Sequence, residues 1–552
     1  MATYSPHPVK LFLYDFARDQ SWCADYWRRV LPDLRELGYD EIAMYVEQRF
    51  HFRSFPQHRP WGGITPAQAA ETQRLCDKFG LKLQWATNVF GHCDGLLANE
   101  AFRHLAEDIG EGEQLCPSHP GTRPFLRTML REFASMNRGK IWIIGGDEAR
   151  ALNRCPRCQK RKLNDADLYL DHMQWVIRET KRLGKRPVLA GDMLLKHPQI
   201  ISGTDKDTII LDWHYDSGSR ETIQLFQKHG FDVLATTSSN EFWRTLYPFD
   251  QVKTAIEPFM REARALGCMG ICMSAWELTR GALMDNHWEH NAAAVAAYEG
   301  KGAECGSGLS AATGLRHSKH TGRGAEAAPT LGHPGKAVSF SRREFAARFY
   351  GSPRADYQRL KRFFDESYVR RLNPFLMSAH LRRQFGRTES GYLFYHTFAQ
   401  SRLRGVLKQL AARIEPARKI VRDIQRSATS RRFYLEFLDL PLDLLEVMND
   451  RIETLRFLRE VADRLYPHRL PAAAGTRLLK AAVKRMEQHI ARCEKLASRY
   501  DRLAATRGGS QLDAYRLRKQ VGELRLVKGY VQYHARTYAK GVDVPSHELW
   551  YV

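Results

Sequence analysis

The amino-acid sequence predicts an α/β protein, in which a (β/α)8 TIM barrel is followed by an α-helical C-terminal domain. Three observations support this fold class. Eight short apolar runs occur within about the first 280 residues, and a helical stretch follows each of them. The runs are almost continuously apolar, as expected of strands buried on both faces of a parallel sheet. Beyond residue 340, apolar residues recur at intervals of three and four, which is typical of amphipathic helices.

A recurring local pattern locates the strands of the predicted barrel. An amphipathic stretch ends in a glycine and an apolar run follows, as in "LPDLRELGYDEIAMYVE" and "IRETKRLGKRPVLAGD". Glycine readily adopts the left-handed conformation that ends a helix, so the chain can turn back as a strand. A doubly wound open sheet is the alternative, but eight strands over about 290 residues favour a closed barrel. The predicted strands are "KLFLYD", "EIAMYVE", "LKLQWAT", "IWIIGG", "RPVLAG", "TIILDWHY", "FDVLATT" and "MGICMSAW".

We expect three parts along the chain of 552 residues. The barrel would occupy residues 1–299. Residues 300–336 are rich in Gly, Ala, Ser and Thr and lack apolar periodicity, which indicates a disordered linker or insertion. Residues 337–552 would form the helical domain, whose leucine and aromatic stripes indicate a packed core rather than a cofactor site.

The second part of the chain is strongly basic, whereas the first part is nearly neutral. Of the net charge of +23, residues 341–552 carry +21, because they contain 43 Lys and Arg but only 22 Asp and Glu. Such a surface could contact nucleic acid or an anionic surface. A solvated, arginine-rich helical surface is the simpler interpretation, and we expect no nucleic-acid partner. We also expect no membrane partner, since no apolar run is long enough to span a bilayer.

The N-terminal segment and the cysteines indicate where in the cell the protein is expected. The segment "MATYSPHPVKLFLYDF" lacks the charged leader and apolar core of a secretory signal. The ten cysteines are scattered and do not resemble a disulfide framework. We therefore expect a cytoplasmic protein, and the sequence leaves a homo-oligomer open.

One CxxC motif raises the question of a metal site. Cys155 and Cys158 form it in "RCPRCQK", but a zinc site normally needs four ligands. Cys268 and Cys272 are the candidate second pair, although their spacing is looser and they look like part of a buried strand. The motif alone is therefore weak evidence for zinc.

Two histidines also have a spacing that could suit a metal. His287 and His290 lie in "DNHWEHN", where no third ligand is evident. We interpret them as surface or rim residues, and we expect neither a metal site nor a cofactor.

Polar and aromatic residues follow the predicted strands at their C-terminal ends, where the active sites of such barrels lie. Asp147 and Glu148 come directly after the fourth strand, in "IWIIGGDEAR". Carboxylates and tryptophans around one cavity are typical of a carbohydrate site, because aromatic faces stack on sugars and carboxylates accept hydrogen bonds from hydroxyls. The other residues at the predicted rim are Asp15, Arg18, Glu47, Asn88, His92, Asp192, Asp212, Trp213, His214, Tyr215, Asn240, Trp276 and Glu277.

The adjacency of Asp147 and Glu148 limits what they can do. In ordinary glycosidases two carboxylates face each other across the scissile bond, about 5–5.5 Å or about 6.5–9.5 Å apart. Neighbours in sequence cannot easily do this, but one can protonate the leaving oxygen while the other holds a substrate group that acts as the nucleophile. Repulsion within the pair would also raise the pKa of one member and keep it a usable acid. A helix N-cap followed by a first-turn acid is the structural alternative.

The segment "IIGGDEA" resembles the Gly-Gly-Asp-Glu signature of family 20 glycoside hydrolases, the β-N-acetylhexosaminidases. Upstream, "LQWATNVFGHCDGLL" and "QLCPSHPGTRPFLRTMLREF" are similar in order and spacing to the hexosaminidase D-like branch, and "RPVLAGDML" resembles its following strand. The resemblance covers about residues 8–290. It also has departures. The family usually has histidine where this chain has Ile143, the first strand "FLYDFARDQSW" lacks the usual sequence of the branch, and "AWELTRG" at the eighth strand fits only loosely.

The resemblance implies an exo-acting β-N-acetylhexosaminidase that releases terminal β-linked GlcNAc or GalNAc by a substrate-assisted retaining mechanism. Glu148 would be the general acid and then the base, and Asp147 would orient the 2-acetamido group that attacks the anomeric carbon. One alternative is a non-catalytic carbohydrate-binding relative, motivated by Ile143. A less favoured alternative is a nucleic-acid- or surface-binding protein acting through the basic domain. Further substrate contacts are expected from Tyr215, Trp213, Trp276, His92, Asp192 and Glu277.

Overall fold

The structure is a computed structural model that describes most of the chain. The described residues are 7–17, 20–60, 62–108, 110, 112–215, 218–240, 252–276, 287–301, 344–352, 354–365, 401–466, 470–508, 511–542 and 544.

Eight parallel strands close into a barrel, in which each strand pairs with the next and the last pairs with the first. The predicted barrel is thus confirmed, and the open-sheet alternative is wrong. Pairing between the fourth and fifth strands shifts register between Ile143 and Gly145, just before the acidic pair. The strands are β1 (Val9–Asp15), β2 (Glu41–Tyr45), β3 (Lys82–Ala86), β4 (Ile141–Gly145), β5 (Arg186–Ala190), β6 (Ile209–Trp213), β7 (Asp232–Asn240) and β8 (Gly270–Ala275).

Side chains inside the barrel form an apolar cluster separate from those that face the helices. Along β1, Leu11 and Leu13 belong to the interior cluster, whereas Phe12 and Tyr14 belong to the outer core. Successive residues of a strand point to opposite faces, so burial of both faces gives a continuous apolar run. The interior cluster consists of Val9, Leu11, Leu13, Ala17, Ala43, Tyr45, Ala86, Ile141, Ile143, Val188, Ile209, Leu211, Leu234 and Cys272.

Helices cover the outside of the barrel, and α2 (Pro66–Phe79) shows how the sequence specifies them. Thr65 caps its start through a reciprocal pair of hydrogen bonds with Gln68, and Gly80 ends it in the left-handed conformation at φ 71°. The glycines that precede the apolar runs therefore mark real helix ends. The other helices of this part are α1 (Ala24–Glu36), α3 (Asp94–Leu97), α4 (Glu100–Arg103), α5 (Thr122–Met136), α6 (Pro156–Lys160), α7 (Asp165–Arg182), α8 (Asp192–Lys196), α9 (Arg220–Lys228), α10 (Glu257–Ala265) and α11 (Trp288–Tyr298), with a 3-10 turn at Pro198–Ile200 and a π turn at Val252–Ile256.

The described part of the chain beyond residue 343 is helical, which confirms the predicted C-terminal helical region. The two long helices Ala472–Arg507 and Gln511–Thr537 run antiparallel. Arg518 of the second helix pairs with Asp501 of the first, and Arg525, later in the second helix, pairs with Glu494, earlier in the first. The helices are α12 (Arg354–Asp365), α13 (Ser401–Ser427), α14 (Arg432–Leu435), α15 (Leu440–Leu465), α16 (Ala472–Arg507) and α17 (Gln511–Thr537), with a π turn at Ala346–Tyr350 and a 3-10 turn at Tyr538–Lys540.

The helical region packs against the barrel through α1 and α11. The Arg431 guanidinium donates to Asp33 at 2.8 Å and to Glu36 at 2.6 Å, and both carboxylates belong to α1. The ring of Tyr434 lies 4.8 Å from that of Trp288 on α11. Apolar residues of both parts therefore share one continuous core.

The proposed division of the chain into residues 1–299, 300–336 and 337–552 stays a prediction. Residues 302–343, which hold most of the expected linker, lie outside the described residues. Among the helices that are described, none is both long and apolar enough to cross a membrane.

Candidate active site

The acidic pair follows β4 after two glycines with left-handed backbones. Gly145 has φ 66° and Gly146 has φ 86°, so the chain turns sharply before Asp147 and Glu148. The next helix begins only at Pro156. The pair is therefore not a helix cap, and the structural alternative considered from the sequence is wrong.

Three neighbouring strand ends carry non-glycine residues in the left-handed region. These are Glu47 after β2 (φ 48°), His92 in the loop after β3 (φ 51°) and Glu148 after β4 (φ 48°). Such conformations cost roughly 1–3 kcal/mol each and cluster at functional sites. Their concentration at one rim of the barrel is an independent sign of function there.

The loop that follows β3 presses directly against the acidic pair. A Cβ atom on Gly91 would lie 2.6 Å from the Asp147 carbonyl oxygen, and one on Gly145 would lie 2.0 Å from Asn88 Oδ1. At Gly91 the neighbouring atom belongs to the backbone, so no side chain fits there, and at Gly145 the left-handed backbone at φ 66° favours glycine as well. This close approach brings His92, on the β3 loop, to the acidic pair.

His92 bridges the two carboxylates. Its Nε2 atom lies 3.4 Å from Asp147 Oδ2 and 3.2 Å from Glu148 Oε2. On the opposite side, an Arg150 guanidinium nitrogen donates to Glu148 Oε1 at 2.6 Å. All three site residues are partly open to solvent, with side chains between 26% and 34% exposed, so a ligand can reach them.

The electrostatics of Glu148 differ from the sequence expectation. The hydrogen bond from His92 lowers the pKa of Glu148, and the positive charges of His92 and Arg150 lower it further. Burial and the charge of Asp147 raise it, but they are outweighed. The expectation that repulsion within the pair raises the pKa of one member therefore does not hold for Glu148 in the ligand-free site.

Asp192 is the carboxyl whose pKa is raised instead. It is the first residue of α8 after β5, and its Oδ2 accepts a hydrogen bond from the Glu148 backbone N–H at 2.9 Å. Burial and then the charge of Asp147 raise its pKa to about 6. Asp192 therefore orients the backbone of Glu148 and shares the excess negative charge of the rim.

Aromatic rings line the barrel mouth beside the carboxylates. Trp213 and Tyr215 stack with their centroids 5.1 Å apart, and Trp276 meets Tyr45 edge to face at 5.0 Å. Trp213 and Trp276 both pack on the interior cluster, which includes Ile143. Ile143 thus belongs to the apolar floor beneath the site, 5% exposed, where the family pattern would have histidine.

The structure therefore brings together four of the predicted site residues: Asp147, Glu148, His92 and Asp192. Trp213, Tyr215 and Trp276 lie at the ends of β6 and β8, on the same rim. The eighth predicted residue, Glu277, lies outside the described residues, as do Arg18 and the side chain of Asn240.

Tyr45 and Arg150 are site residues that were missed from the sequence. The Tyr45 hydroxyl accepts a hydrogen bond from Asn88 at 2.6 Å and contacts Glu47 at 3.3 Å, which ties the ends of β2 and β3 together. Tyr45 ends β2 and Arg150 follows the acidic pair after β4, and this position after a strand was the sequence signal that could have identified both as site residues. Which side of a loop Arg150 faces could not be read from the sequence.

Two sequence interpretations outside the rim need correction. His287 and His290 are buried rather than at the surface or rim, with exposures of 1% and 0% and with their Nδ1 atoms 3.1 Å apart. Cys268 and Cys272 do not form a pair, because Cys272 belongs to the interior cluster and Cys268 to the outer core.

The family comparison matches this part of the barrel. The sequence profile described as glycosyl hydrolase family 20, catalytic domain, matches residues 93–255, which include Asp147, Glu148 and Asp192. Hexosaminidase D from Bos taurus is 23% identical over 230 residues. That similarity covers 39% of this chain and 66% of the relative, just under two thirds of its length.

Two solved structures are similar to this chain at low sequence identity. A β-N-acetylhexosaminidase from Bacteroides fragilis matches 52% of this chain and 65% of its own, at 18% identity and a TM-score of 0.43. An exo β-N-acetylglucosaminidase from Vibrio harveyi, in complex with N-acetylglucosamine, matches 52% and 54% of the two chains at 17% identity and a TM-score of 0.42. The profile match confirms the expected resemblance to family 20.

Proposed function

Because residues 93–255 match the glycosyl hydrolase family 20 catalytic-domain profile, we propose that this chain is an exo-acting β-N-acetylhexosaminidase. Its substrates are terminal β-linked GlcNAc or GalNAc residues, and it acts by substrate-assisted retention. The observation that carries the proposal is the adjacent Asp147–Glu148 pair at the barrel rim, joined by His92. Two such neighbours suit a reaction in which the substrate provides the nucleophile.

The two carboxylates divide the chemistry between them. Glu148 gives a proton to the glycosidic oxygen, while the carbonyl oxygen of the 2-acetamido group attacks the anomeric carbon from the other face. Asp147 accepts the acetamide N–H and stabilises the positive charge that develops on the ring formed. Glu148 then takes a proton from the water that opens this ring, so the sugar leaves with its original anomeric configuration.

Substrate binding has to protonate Glu148, since His92 and Arg150 lower its pKa in the ligand-free site. A sugar that covers Glu148 removes water from it, and desolvation favours the neutral carboxylic acid. The exposed position of Arg150, with 67% of its side chain accessible, lets it move away from Glu148 as the aglycone enters. The acid is therefore prepared by the substrate rather than by the empty site.

The remaining predicted residues would shape the sugar pocket. Trp213 and Trp276 provide apolar faces at the floor, and Tyr215 stacks beside Trp213 with a hydroxyl that can donate to the acetamide oxygen. His92 and Asp192 position the acidic pair through the contacts described above. Glu277 is proposed as a ligand for sugar hydroxyls from its place after β8.

A panel of aryl glycosides tests both the activity and its mechanism. The wild-type protein should hydrolyse aryl β-GlcNAc or β-GalNAc and leave the matching β-glucoside intact, because the glucoside lacks the acetamido nucleophile. Glu148→Gln should lower kcat by roughly 10²–10⁴-fold. The loss should be smaller for an aryl leaving group that is a weak base, since this group needs no proton. Glu71→Gln, on the surface of α2, is the matched control. Full activity of Glu148→Gln would refute the proposal.

A non-catalytic carbohydrate-binding protein is the second candidate. The buried Ile143 favours it, because an apolar residue occupies the place of the family's histidine beneath the site. Measurable binding of N-acetylhexosamine without hydrolysis of any substrate in the panel would support this candidate. The expected absence of nucleic-acid and membrane partners and the expected cytoplasmic location stay predictions, and homo-oligomer formation stays open.

A further inference from the structure

Four buried side chains next to the candidate site form a compact group of metal-ligand type. They are Glu107, Cys116, Cys155 and Cys158, and their donor atoms all lie within 4.8 Å of one another. None is more than 8% exposed. The CxxC motif supplies two of them, whereas Cys268 and Cys272, the second pair considered from the sequence, do not belong to the group.

The spacing of the donor atoms fits one tetrahedral ion. The Cys116 sulfur lies 3.5 Å from that of Cys155 and 3.7 Å from that of Cys158. An ion about 2.3 Å from each sulfur would hold tetrahedral sulfurs about 3.8 Å apart. Glu107 Oε2 completes the group at 3.3 Å from the Cys155 sulfur and 3.0 Å from the Cys158 sulfur.

The surroundings of the group suit thiolates and a fixed carboxylate. Glu107 Oε1 accepts hydrogen bonds from the backbone N–H groups of Arg154 and Cys155, both at 2.9 Å, which leaves Oε2 to face the sulfurs. The Cys158 N–H points at the Cys155 sulfur at 3.4 Å, and the Ser118 hydroxyl lies 3.1 Å from the Cys158 sulfur. Such outer contacts orient metal ligands and stabilise their charge.

The charge balance favours a cation over a set of hydrogen-bonded thiols. Glu107 is a buried carboxylate whose partners are two backbone N–H groups and two thiols, all neutral. A buried charge without an opposite charge is costly. A divalent ion would place a positive charge beside the carboxylate. Binding would release the thiol protons to solvent, and the net charge of about −2 that remains is typical of a zinc site rich in thiolates.

We propose that Glu107, Cys116, Cys155 and Cys158 bind one structural zinc ion. Three sulfur ligands in tetrahedral geometry select zinc over harder cations, and four protein ligands leave no open position for chemistry. The sulfur separations of 3.5 Å and 3.7 Å also distinguish the group from a disulfide, whose sulfurs are about 2.05 Å apart.

The ion joins the two loops that carry the candidate active site. Glu107 and Cys116 belong to the connection between β3 and α5, which also holds His92, whereas Cys155 and Cys158 follow Glu148 after β4. Gln114 makes a second link between the same loops, through two hydrogen bonds of 3.0 Å to the backbone of Ala151. The zinc ion therefore fixes the position of His92 relative to the acidic pair. This inference does not depend on the proposed function.

Metal analysis of the full chain tests the proposal. Protein incubated with Zn²⁺ and then desalted should retain about one zinc per chain by mass spectrometry of the metal. Cys158→Ser and Cys116→Ser should retain less than about a tenth of that amount, since each lacks one ligand. Cys23→Ser, which changes a half-buried thiol elsewhere, should retain the full amount.

A subtler variant covers the case in which the cysteine variants fail to fold. Glu107→Gln keeps the size of the side chain and its two backbone hydrogen bonds but loses the charge, so it should hold zinc at least about tenfold more weakly. Wild-type protein loaded with Co²⁺ should show thiolate-to-cobalt charge-transfer absorption, and Glu107→Gln should show it only at higher cobalt concentration.

Three outcomes would overturn the proposal. The first is wild-type protein that retains no zinc and shows no charge-transfer absorption with Co²⁺. The second is an intact mass two hydrogens lower than that of the reduced chain, with the cysteines of this group joined as a disulfide. The third is zinc that stays bound at full stoichiometry in Cys116→Ser, Cys158→Ser and Glu107→Gln.

Discussion

Carboxylates have opposite surroundings in the barrel rim and in the C-terminal helices. At the rim, Asp147, Glu148 and Asp192 lie close together, with His92 beside the first two and Arg150 beside Glu148 alone. In the described helices, one partly buried and one buried carboxylate each contact several basic side chains. Asp443 contacts Arg418 and Arg499, and Asp450 contacts Arg485, His489 and Arg492.

The difference separates a reactive arrangement from a structural one. At the rim, burial and then the charge of Asp147 raise the pKa of Asp192 to about 6, because both make its ionised form costly in the folded state. In the helices burial raises the pKa of Asp450, but its contacts with His489 and the arginines outweigh this and lower it. Some arginines of the helical region therefore neutralise carboxylates that are buried or partly buried among the helices.

The largest expected effect is on the rim side of this comparison. Asp147→Asn removes the charge that stabilises the acetamido-derived ring, so kcat on aryl β-GlcNAc should fall by roughly 10²–10³-fold. The thermal midpoint should stay the same or rise, because a like charge is removed. Steady-state kinetics and thermal unfolding measure the two effects. A loss of stability together with a loss of activity would place Asp147 with the structural carboxylates instead.

For Asp450, the buried carboxylate in the helices, we expect a loss of stability without a loss of activity. Asp450→Asn leaves His489 and the arginines without their buried partner, so the free energy of unfolding should fall by about 3–5 kcal/mol. The kcat of the folded protein should not change. Denaturant unfolding provides the measurement, and Asp501→Asn is the control, since its pair with Arg518 is exposed and should contribute less than about 1 kcal/mol. Equal losses in both variants would remove the contrast between buried and surface pairs.

The third prediction concerns the pH dependence of stability. Asp192 has a pKa of about 6 in the folded protein, above the ordinary value of 3.8. Its protonated form is favoured by folding, so the stability that it contributes is complete below about pH 4 and is lost as the pH rises through about 6. Asp192→Asn should remove this dependence and raise stability at pH 7 by about 3 kcal/mol.

Unfolding curves measured between pH 4 and pH 8 check this expectation. Asp165→Asn, at the exposed first residue of α7, is the matched control and should keep the wild-type pH dependence. A wild-type protein whose stability increases between pH 4 and pH 6 through Asp192 would contradict the assignment.

The smallest effect separates the two groups that lower the pKa of Glu148. His92→Gln and Arg150→Gln should each raise that pKa, with the larger change for His92 because its hydrogen bond is the main cause. The kcat/KM of a general acid falls above its pKa, so the alkaline limb should move to higher pH in both variants. A pH profile of kcat/KM provides the measurement. An alkaline limb that moves to lower pH in Arg150→Gln would show that another group controls it.

The barrel and the acidic pair could be predicted from the sequence because they depend on local signals. Continuous apolar runs identify parallel strands, and Gly145 and Gly146 mark the turn that places Asp147 and Glu148 at the rim. The charge state of Glu148 could not be predicted, because it depends on the side-chain positions of His92 and Arg150.

The sequence also did not predict which polar residues are buried, or which residues distant in sequence lie together in the fold. His287 and His290 look hydrophilic in sequence, yet α11 is buried along its length against both the barrel and the C-terminal helices. Cys116 and Glu107 lie about 40–50 residues before the CxxC motif, and only the fold brings them to it.

The contact between Gly91 and Asp147 also constrains how this barrel could be redesigned. Because the two backbones approach so closely, the loops after β3 and β4 can be exchanged only together. Grafting one loop from another barrel would bring a side chain or a different curvature against Asp147, whereas residues 88–116 and 146–160 transplanted together would keep their fit. Libraries for new substrate preference should therefore vary the aromatic ends of β6 and β8 and leave this double loop unchanged.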